Sequence, residues 1–275
     1  MLQLIKSYLK FLINSKNEHG VHSPFVFDLV SKCFYDKTKF PEYKVLKQYR
    51  NSLLANKNTI EVTDFGAGSR VFKSNIRQIS KIAQTAGISP KRAELLFRIV
   101  NYFQPESILE IGTSLGIATS ALSLGNTSSK IISLEGCPKT QEQAKVQFQV
   151  SNLETNNIEF VNTEFSSYLK NFQLPTSNFQ LIYFDGNHSK KATLDYFELL
   201  LPTITNNSVW IFDDIHWSTE MEDAWETIKK HPKVKVTIDT FQWGIVFFRA
   251  EQVKEHFIIN PNKNWSSNLF ERIRI

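Results

Sequence analysis

From Ser89 onward, short apolar runs alternate with amphipathic segments, and this alternation limits the fold more than any other feature of the sequence. Five of the short runs have the length and composition of buried strands, namely 107–111, 130–134, 158–161, 180–184 and 208–212. The longer segments between them carry apolar residues at helical spacing. Strands that alternate with helices predict a parallel sheet with helices on both faces.

The helix predicted at 90–103 is marked at both ends. Ser89 suits an N-cap, Pro90 occupies the first helical position, and Pro105 follows the last turn. Four apolar residues form its buried stripe: Leu95, Leu96, Ile99 and Val100. Further helices are predicted at 117–124, 139–151, 194–201 and 219–230.

The last two strand-like runs, 234–239 and 245–248, are joined by residues 240–244 alone. This connection is too short for a helical crossover, so an antiparallel hairpin is expected. The predicted fold is therefore a seven-stranded, mostly parallel sheet that finishes in a hairpin. It occupies residues 86–250, after an N-terminal helical or irregular cap (1–85) and before a tail (251–275).

The N-terminal segment predicts an amphipathic helix with Leu2, Ile5, Leu9 and Leu12 on one face. This face is expected to pack on the body of the protein or on a second subunit, which would make a homodimer. A membrane-surface role is the weaker alternative, because the basic face is short. The sequence contains no apolar stretch long enough to span a bilayer and resembles no signal peptide.

Composition excludes some classes of protein. The chain has 275 residues, 41% of them hydrophobic, and a formal net charge of +5. Lysines and glutamates are interspersed, so no nucleic-acid partner is expected. Cys33 and Cys137 match no metal or redox spacing, and two isolated thiols suit a reducing cytoplasm.

A glycine turn follows the strand at 107–111. The strand ends at Glu110 and Ile111, and the chain passes through Gly112 and Gly116 into a helix. The Gly-x-x-x-Gly spacing differs from Gly-x-Gly-x-x-Gly, which argues against an NAD-linked dehydrogenase. Glu135 ends the next strand, where a carboxylate can accept hydrogen bonds from both hydroxyls of a ribose.

These segments resemble the class I S-adenosylmethionine-dependent methyltransferases. ILEIGTSLGIATSAL is similar to the first motif of that family and IISLEG to the second, within a resemblance that runs from about 86 to 249. The resemblance implies a Rossmann-like sheet and S-adenosyl-L-methionine as cofactor. It implies that Glu110 holds the methionine end, that Gly112, Ser114 and Gly116 wrap the cofactor, and that Glu135 binds its ribose.

Three further cofactor contacts are implied by the same resemblance. Thr163 and Glu164, after the third strand, would lie near the adenine, although Asn162 stands where the family usually has glycine. The segment AGISPKRAELLFRIV is similar to the one that precedes the glycine loop in small-molecule O-methyltransferases, which would place Ile88 near the cofactor.

Carboxylates follow two strands that should be neighbours in this fold. Asp185 follows the fourth strand, and Asp213 and Asp214 follow the fifth. Three converging carboxylates repel one another unless protons or a cation intervene, and all-oxygen ligands suit Mg²⁺ or another divalent ion. The pattern resembles the catechol-type O-methyltransferases, in which such residues hold a metal. The alternative is that these aspartates cap helices.

The candidate base is His188, at the place where the catechol-type enzymes have a lysine. Lys190 and Lys191 are nearby alternatives, and His216 has a weaker claim to touch substrate or metal. Asp-Gly-x-His also resembles sugar and antibiotic O-methyltransferases, so a small hydroxylated acceptor is expected. A metal would lower the pKa of the acceptor hydroxyl, and Asp185 with His188 would carry the catalysis.

Two other functions stay open at this point. The first is N- or O-methylation of a macromolecule, although the chain lacks the Asn/Asp-Pro-Pro-aromatic motif typical of nucleic-acid amino-methyltransferases. The second is a cofactor-binding module without activity. The sequence leaves the roles of His19 and His22 undetermined.

Overall fold

The computed structural model describes residues 2–63, 73–171 and 178–262. The chain groups into two compact units, one formed by Met1–Thr38 with Thr205–Ile275 and the other by Lys39–Ile204. These boundaries differ from those expected at residues 85 and 250, which stay predictions. Residues 263–275 of the expected tail lie outside the described part.

The helices are α1 (Leu2–Asn14), α2 (Pro24–Leu29), α3 (Glu42–Ala55), α4 (Ile79–Thr85), α5 (Pro90–Phe103), α6 (Ile117–Gly125), α7 (Pro138–Val150), α8 (Phe165–Asn171), α9 (Lys190–Leu200) and α10 (Thr219–Lys230). The strands are β1 (Thr59–Glu61), β2 (Ile76–Gln78), β3 (Ser107–Ile111), β4 (Lys130–Glu135), β5 (Ile158–Asn162), β6 (Leu181–Phe184), β7 (Val209–Asp213), β8 (Val236–Asp239), β9 (Trp243–Phe247) and β10 (Glu255–Ile258). Short 3₁₀ or π turns lie at Glu18–Gly20, Val30–Phe34 and Leu201–Thr203.

The larger unit contains four parallel strands in the order β6-β3-β4-β5. Strands β3 and β6 lie in the middle of the apolar core, and Leu109 of β3 pairs with Ile132 on one side and Ile182 on the other. Helix α5 has the predicted bounds, and the Ser89 hydroxyl accepts the Arg92 N–H at 3.4 Å as its N-cap. The parallel arrangement expected from alternating strands and helices is confirmed.

The segment before residue 85 is more regular than the sequence indicated. Helix α3 buries Leu46, Tyr49 and Leu53, which are three and four residues apart, as one helical face requires. Lysines, arginine and asparagine between these positions weaken the apolar pattern along the sequence. Helix α3 packs against α4, α5 and α6, so this part of the predicted cap belongs to the larger unit.

The smaller unit contains four strands in the order β10-β8-β9-β7. Strands β8 and β9 form the predicted antiparallel hairpin, and β9 also pairs antiparallel with β7. Strand β10 pairs parallel with β8 and was not predicted. The two units thus supply eight mostly parallel strands with helices beside them, which confirms the Rossmann-like class and corrects the expected count of seven.

Helix α1 contacts its unit through the opposite face from the one expected. Phe11 is buried, its ring lies 5.5 Å from that of Phe241, and the Ser7 hydroxyl donates to Glu222 at 2.5 Å. Ile5 and Leu9, expected to pack on the body, are 51% and 53% exposed. No helix in the described part of the chain has the length and apolarity to cross a membrane.

Candidate cofactor site

The glycine turn after β3 has a backbone that only glycine adopts without strain. Gly112 has a φ of 108°, and a Cβ placed on it would lie 2.4 Å from the carbonyl oxygen of Asp185. The N–H groups of Gly112 and Thr113 both donate to the carbonyl of Leu134, at 3.0 Å each. Gly116, with a φ of 76°, is the N-cap of α6. The turn therefore lies against β4 and the end of β6.

Glu135 holds this turn from the next strand. The Ser114 N–H donates to Glu135 Oε2 at 2.8 Å, and the Cys137 N–H donates to Oε1 at 2.9 Å. The side chain is half-buried, and an ionised carboxylate can accept about four hydrogen bonds. Glu135 is therefore fixed in place by the backbone of the turn.

Glu110 lies beneath the turn and is completely buried. The hydroxyls of Thr119 and Ser133 donate to its Oε2 at 2.6 and 2.5 Å, whereas Oε1 has no hydrogen-bond partner among the described residues. Burial raises the pKa of Glu110 to about 8, against the lowering effect of the two hydroxyls. The side chain is therefore largely neutral at pH 7, and its Oε1 makes no hydrogen bond within the described part of the chain.

A small, partly open cleft of about 10 Å³ lies beside the turn. Three predicted site residues, Ile88, Ser114 and Asp185, line it together. The other lining residues come from α4 and its C-terminal end, from the turn and from the start of α6: Ile82, Ala83, Ala86, Gly87, Thr113, Leu115, Ile117 and Ala118. The structure thus brings the cofactor motif, the segment before α5 and the end of β6 to one cleft.

Two residues of α3 that the sequence did not indicate support this cleft. The Tyr49 hydroxyl donates to the carbonyl of Leu115 at 2.9 Å, and Arg50 Nη1 donates to the carbonyl of Ile88 at 2.8 Å. Burial raises the pKa of Tyr49 well above its usual range, so the hydroxyl remains a donor. The spacing of Leu46, Tyr49 and Leu53 signals a buried helix face, but nothing in the sequence says what it faces.

Thr163 and Glu164 have identifiable roles in the backbone. The Thr163 N–H donates to the carbonyl of Glu135 at 2.9 Å. The Glu164 carboxylate accepts the N–H groups of Ser166 and Ser167 at 2.9 and 2.7 Å and so caps α8. Partial burial would raise the pKa of Glu164, but these hydrogen bonds outweigh it and lower the pKa. Their adenine contact stays a prediction.

Asp185 and His188 come together after β6. The distance from His188 Nε2 to Asp185 Oδ1 is 3.6 Å, and the two side chains are 25% and 16% exposed. The Ser189 hydroxyl accepts the Ala192 N–H and caps α9. Of the alternative bases, Lys191 lies 2.5 Å from Asp195 on the exposed face of α9.

The turn after β7 differs from the prediction of a metal site. Asp213 is 4% exposed, and its Oδ1 accepts the Asp214 N–H at 2.8 Å. His216 contacts Glu222 through Nδ1 and Asp239 through Nε2, at 2.9 Å each. Burial would lower the pKa of His216, but the two carboxylates raise it. Across residues 2–63, 73–171 and 178–262, no three His, Cys, Asp or Glu side chains are grouped to hold a metal, so the metal stays a prediction.

Comparison with known proteins supports the interpretation of the glycine turn as part of a methyltransferase domain. Residues 109–215 match a family model described as a methyltransferase domain. No curated protein sequence matches the chain significantly.

Several solved methyltransferase structures have a similar fold. The SAH-bound Podospora anserina methyltransferase PaMTH1 has a TM-score of 0.59 at 14% identity, over 83% of this chain and 97% of that one. The Bacillus cereus O-methyltransferase in complex with SAH has a TM-score of 0.52 at 19% identity, over 81% and 97%. TomG from Streptomyces achromogenes, an O-methyltransferase in complex with SAM, has a TM-score of 0.54 at 13% identity, over 80% and 95%.

Sequence identities this low show only that the folds are similar. The family match identifies the kind of domain. The fold and the glycine turn define a class I methyltransferase domain, whose matched part runs from β3 to the turn after β7. Residues 109–215 thus form a methyltransferase domain, in agreement with the resemblance of the motifs.

Proposed function

We propose that the chain O-methylates a small hydroxylated acceptor, with His188 as the general base. One observation carries this proposal: Asp185 lines the cleft beside the glycine turn, and its carboxylate lies 3.6 Å from the His188 imidazole. A base at the edge of a cofactor cleft is what proton removal from an acceptor hydroxyl requires. The O-methyltransferases of similar fold agree with this chemistry.

The residues of the turn fit S-adenosyl-L-methionine. The missing side chain at Gly112 leaves room for the backbone of Asp185, which brings the end of β6 against the turn, and Glu135 is held at the same turn, where its carboxylate would meet the ribose hydroxyls. The orphaned Oε1 of buried Glu110 is an unused hydrogen-bonding atom beneath the turn, in keeping with a role towards the methionine end. When bound, this cofactor supplies an electrophilic methyl group.

The histidine and the aspartate have different tasks in this proposal. The His188 imidazole accepts the proton of the acceptor hydroxyl, as a histidine does in general base catalysis. Asp185 orients the ring and stabilises the imidazolium that forms, as a carboxylate beside a catalytic histidine does. Lys190, the first residue of α9, is the alternative base.

Assistance by Mg²⁺ or another divalent ion, held by Asp185, Asp213 and Asp214, is the alternative mechanism. The observed donor set does not fit it well, because Asp213 Oδ1 accepts the neighbouring N–H and the described residues contain no grouping of three ligands. We therefore assign no step to an ion. Methylation of a macromolecule, a non-catalytic role, a homodimer and a cytoplasmic location remain open predictions.

The first test is calorimetric titration with S-adenosylhomocysteine, followed by turnover on a panel of polyols and catechols with and without EDTA. We expect binding, and turnover that survives EDTA. His188→Gln should lower kcat about 100-fold or more while leaving the affinity for S-adenosylhomocysteine unchanged. The matched control is His19→Gln, since the His19 side chain is 82% exposed in the other unit.

Each failure has a distinct meaning. No binding of S-adenosylhomocysteine would refute the cofactor assignment. Turnover abolished by EDTA would favour the metal mechanism, and full turnover in His188→Gln would remove the proposed base. Methyl transfer to protein or nucleic acid but to no small acceptor would replace the substrate class.

A further inference from the structure

Among the described residues, helix α1 contacts the rest of the smaller unit along one face. Gln3 and Ser7 donate hydrogen bonds to Glu222 at 3.3 and 2.5 Å, and the rings of Tyr8 and Phe11 contact Phe241 at 4.8 and 5.5 Å. These contacts fix the orientation of α1, because polar and aromatic groups anchor it over about two helical turns. The opposite face is consequently directed away from the unit.

That opposite face carries an exposed apolar stripe. Ile5, Leu9 and Ile13 are 51%, 53% and 78% exposed, and their spacing of four residues places them in one row along the helix. Single exposed apolar residues are common, but a row of three on one helix marks an interaction surface.

Two lysines border this stripe. Lys6 and Lys10 are exposed and stand three residues before Leu9 and Ile13, so they form the adjoining row of the helix. Helix α1 contains no aspartate or glutamate. Its outward side therefore combines an apolar row with a purely positive row, and its long lysine stems can extend towards anionic groups.

This charge pattern favours a lipid surface over a second copy of the chain. Two α1 helices packed through their stripes would bring Lys6 and Lys10 of both copies together without an acidic residue of α1 to pair with them. A helix of 13 residues is about 20 Å long, and one such stripe falls far short of the roughly 800 Å² per partner of a stable interface.

We propose that α1 docks the protein on an anionic lipid bilayer surface. The apolar row enters the boundary between headgroups and acyl chains, and Lys6 and Lys10 contact the anionic headgroups, while the helix lies parallel to the membrane plane. This surface is independent of the cofactor cleft. It differs from the expectation that the face with Ile5 and Leu9 packs on the body of the protein, because both side chains are exposed.

The test is co-sedimentation of the full chain with vesicles of phosphatidylcholine, with and without phosphatidylserine. We expect binding to the anionic vesicles that weakens as salt is raised. Leu9→Ser should lower the partition coefficient about tenfold, as expected for an apolar side chain removed from the boundary. Val150→Ser on α7, where the valine is 65% exposed, is the matched control and should bind like wild type.

The lysines have a control of equal charge. Lys6→Gln with Lys10→Gln should lower binding about 25-fold, at about fivefold per lysine, whereas Lys44→Gln with Lys47→Gln on α3 removes the same charge and should change little. All these side chains are exposed, so thermal melting should confirm folding.

Three results would overturn the proposal. The first is failure to bind anionic vesicles, and the second is equal binding with and without phosphatidylserine. The third is a dimer in sedimentation equilibrium that Leu9→Ser converts to a monomer, which would identify a second copy of the chain as the occupant of the stripe.

Discussion

The turn after β3 and the turn after β7 both connect a buried strand to a helix, yet they use their polar groups in different ways. After β3, backbone N–H groups hold Glu135, a half-buried carboxylate that a ligand can reach. After β7, Asp213 is almost completely buried and accepts the next N–H, and both nitrogens of His216 are engaged by carboxylates. A place at the carboxyl end of a strand is thus insufficient for a ligand site, because the polar group must also be accessible.

The strongest test of this contrast compares two isosteric variants. Asp185→Asn should lower kcat about 1,000-fold, because the carboxylate that orients His188 is lost, while affinity for S-adenosylhomocysteine stays unchanged. Asp213→Asn keeps the oxygen that accepts the Asp214 N–H, so turnover should stay within about threefold of wild type. Steady-state kinetics measure kcat of both variants. An equal loss of kcat in the two variants, together with sensitivity to EDTA, would support the metal mechanism.

The next largest effect is expected from Gly112→Val. A side chain here must adopt a φ of 108° and meets the Asp185 carbonyl, so the turn must move. Affinity for S-adenosylhomocysteine should fall about 100-fold, equivalent to about 2.7 kcal/mol. Gly20→Ala is the control, because its Cβ meets only the flexible Lys16 side chain. Calorimetry on folded protein measures the effect, and unchanged affinity would show that the turn does not form the cofactor site.

A smaller effect is expected from Tyr49→Phe, which removes one hydrogen bond to the glycine turn. At about 1 kcal/mol for such a bond, affinity for S-adenosylhomocysteine should fall about fivefold. Tyr43→Phe on the same helix is the matched control, because the Tyr43 hydroxyl accepts from Arg98 rather than contacting the turn. Similar loss of thermal stability in both variants, with weaker binding only in Tyr49→Phe, would establish a positioning role.

The mildest effect concerns the pH dependence of stability through Glu110. Its pKa is raised to about 8 in the folded protein, above the usual value of 4.5. The stability this provides is therefore complete below pH 4.5 and is lost as the pH rises towards 8. Glu110→Gln should flatten this decline in Tm between pH 5 and pH 8, and an unchanged slope in thermal melts would contradict the assignment.

The succession of strands and helices from Ser89 onward could be predicted because local spacing determines it. Helix α5 has its predicted bounds since its cap and apolar stripe are contained within the segment, and the β8–β9 hairpin follows from a connection too short for a helix. Gly112 could be identified for a similar reason, because a positive φ at a strand-to-helix turn is a local requirement. Strand β10 was missed because two of its four residues, Glu255 and His256, are polar and none of the four is buried, so it lacks the apolar run of the other strands.

The sequence by itself therefore determined the fold class and the glycine turn. Only the tertiary structure decided which face of α1 is exposed, that Tyr49 and Arg50 support the cleft, and that Asp213 is used within its own turn. The physical reason is that these properties depend on which groups from distant segments share a volume. A hydrogen-bonding group keeps capacity for a ligand only where its neighbours in space have not already used it.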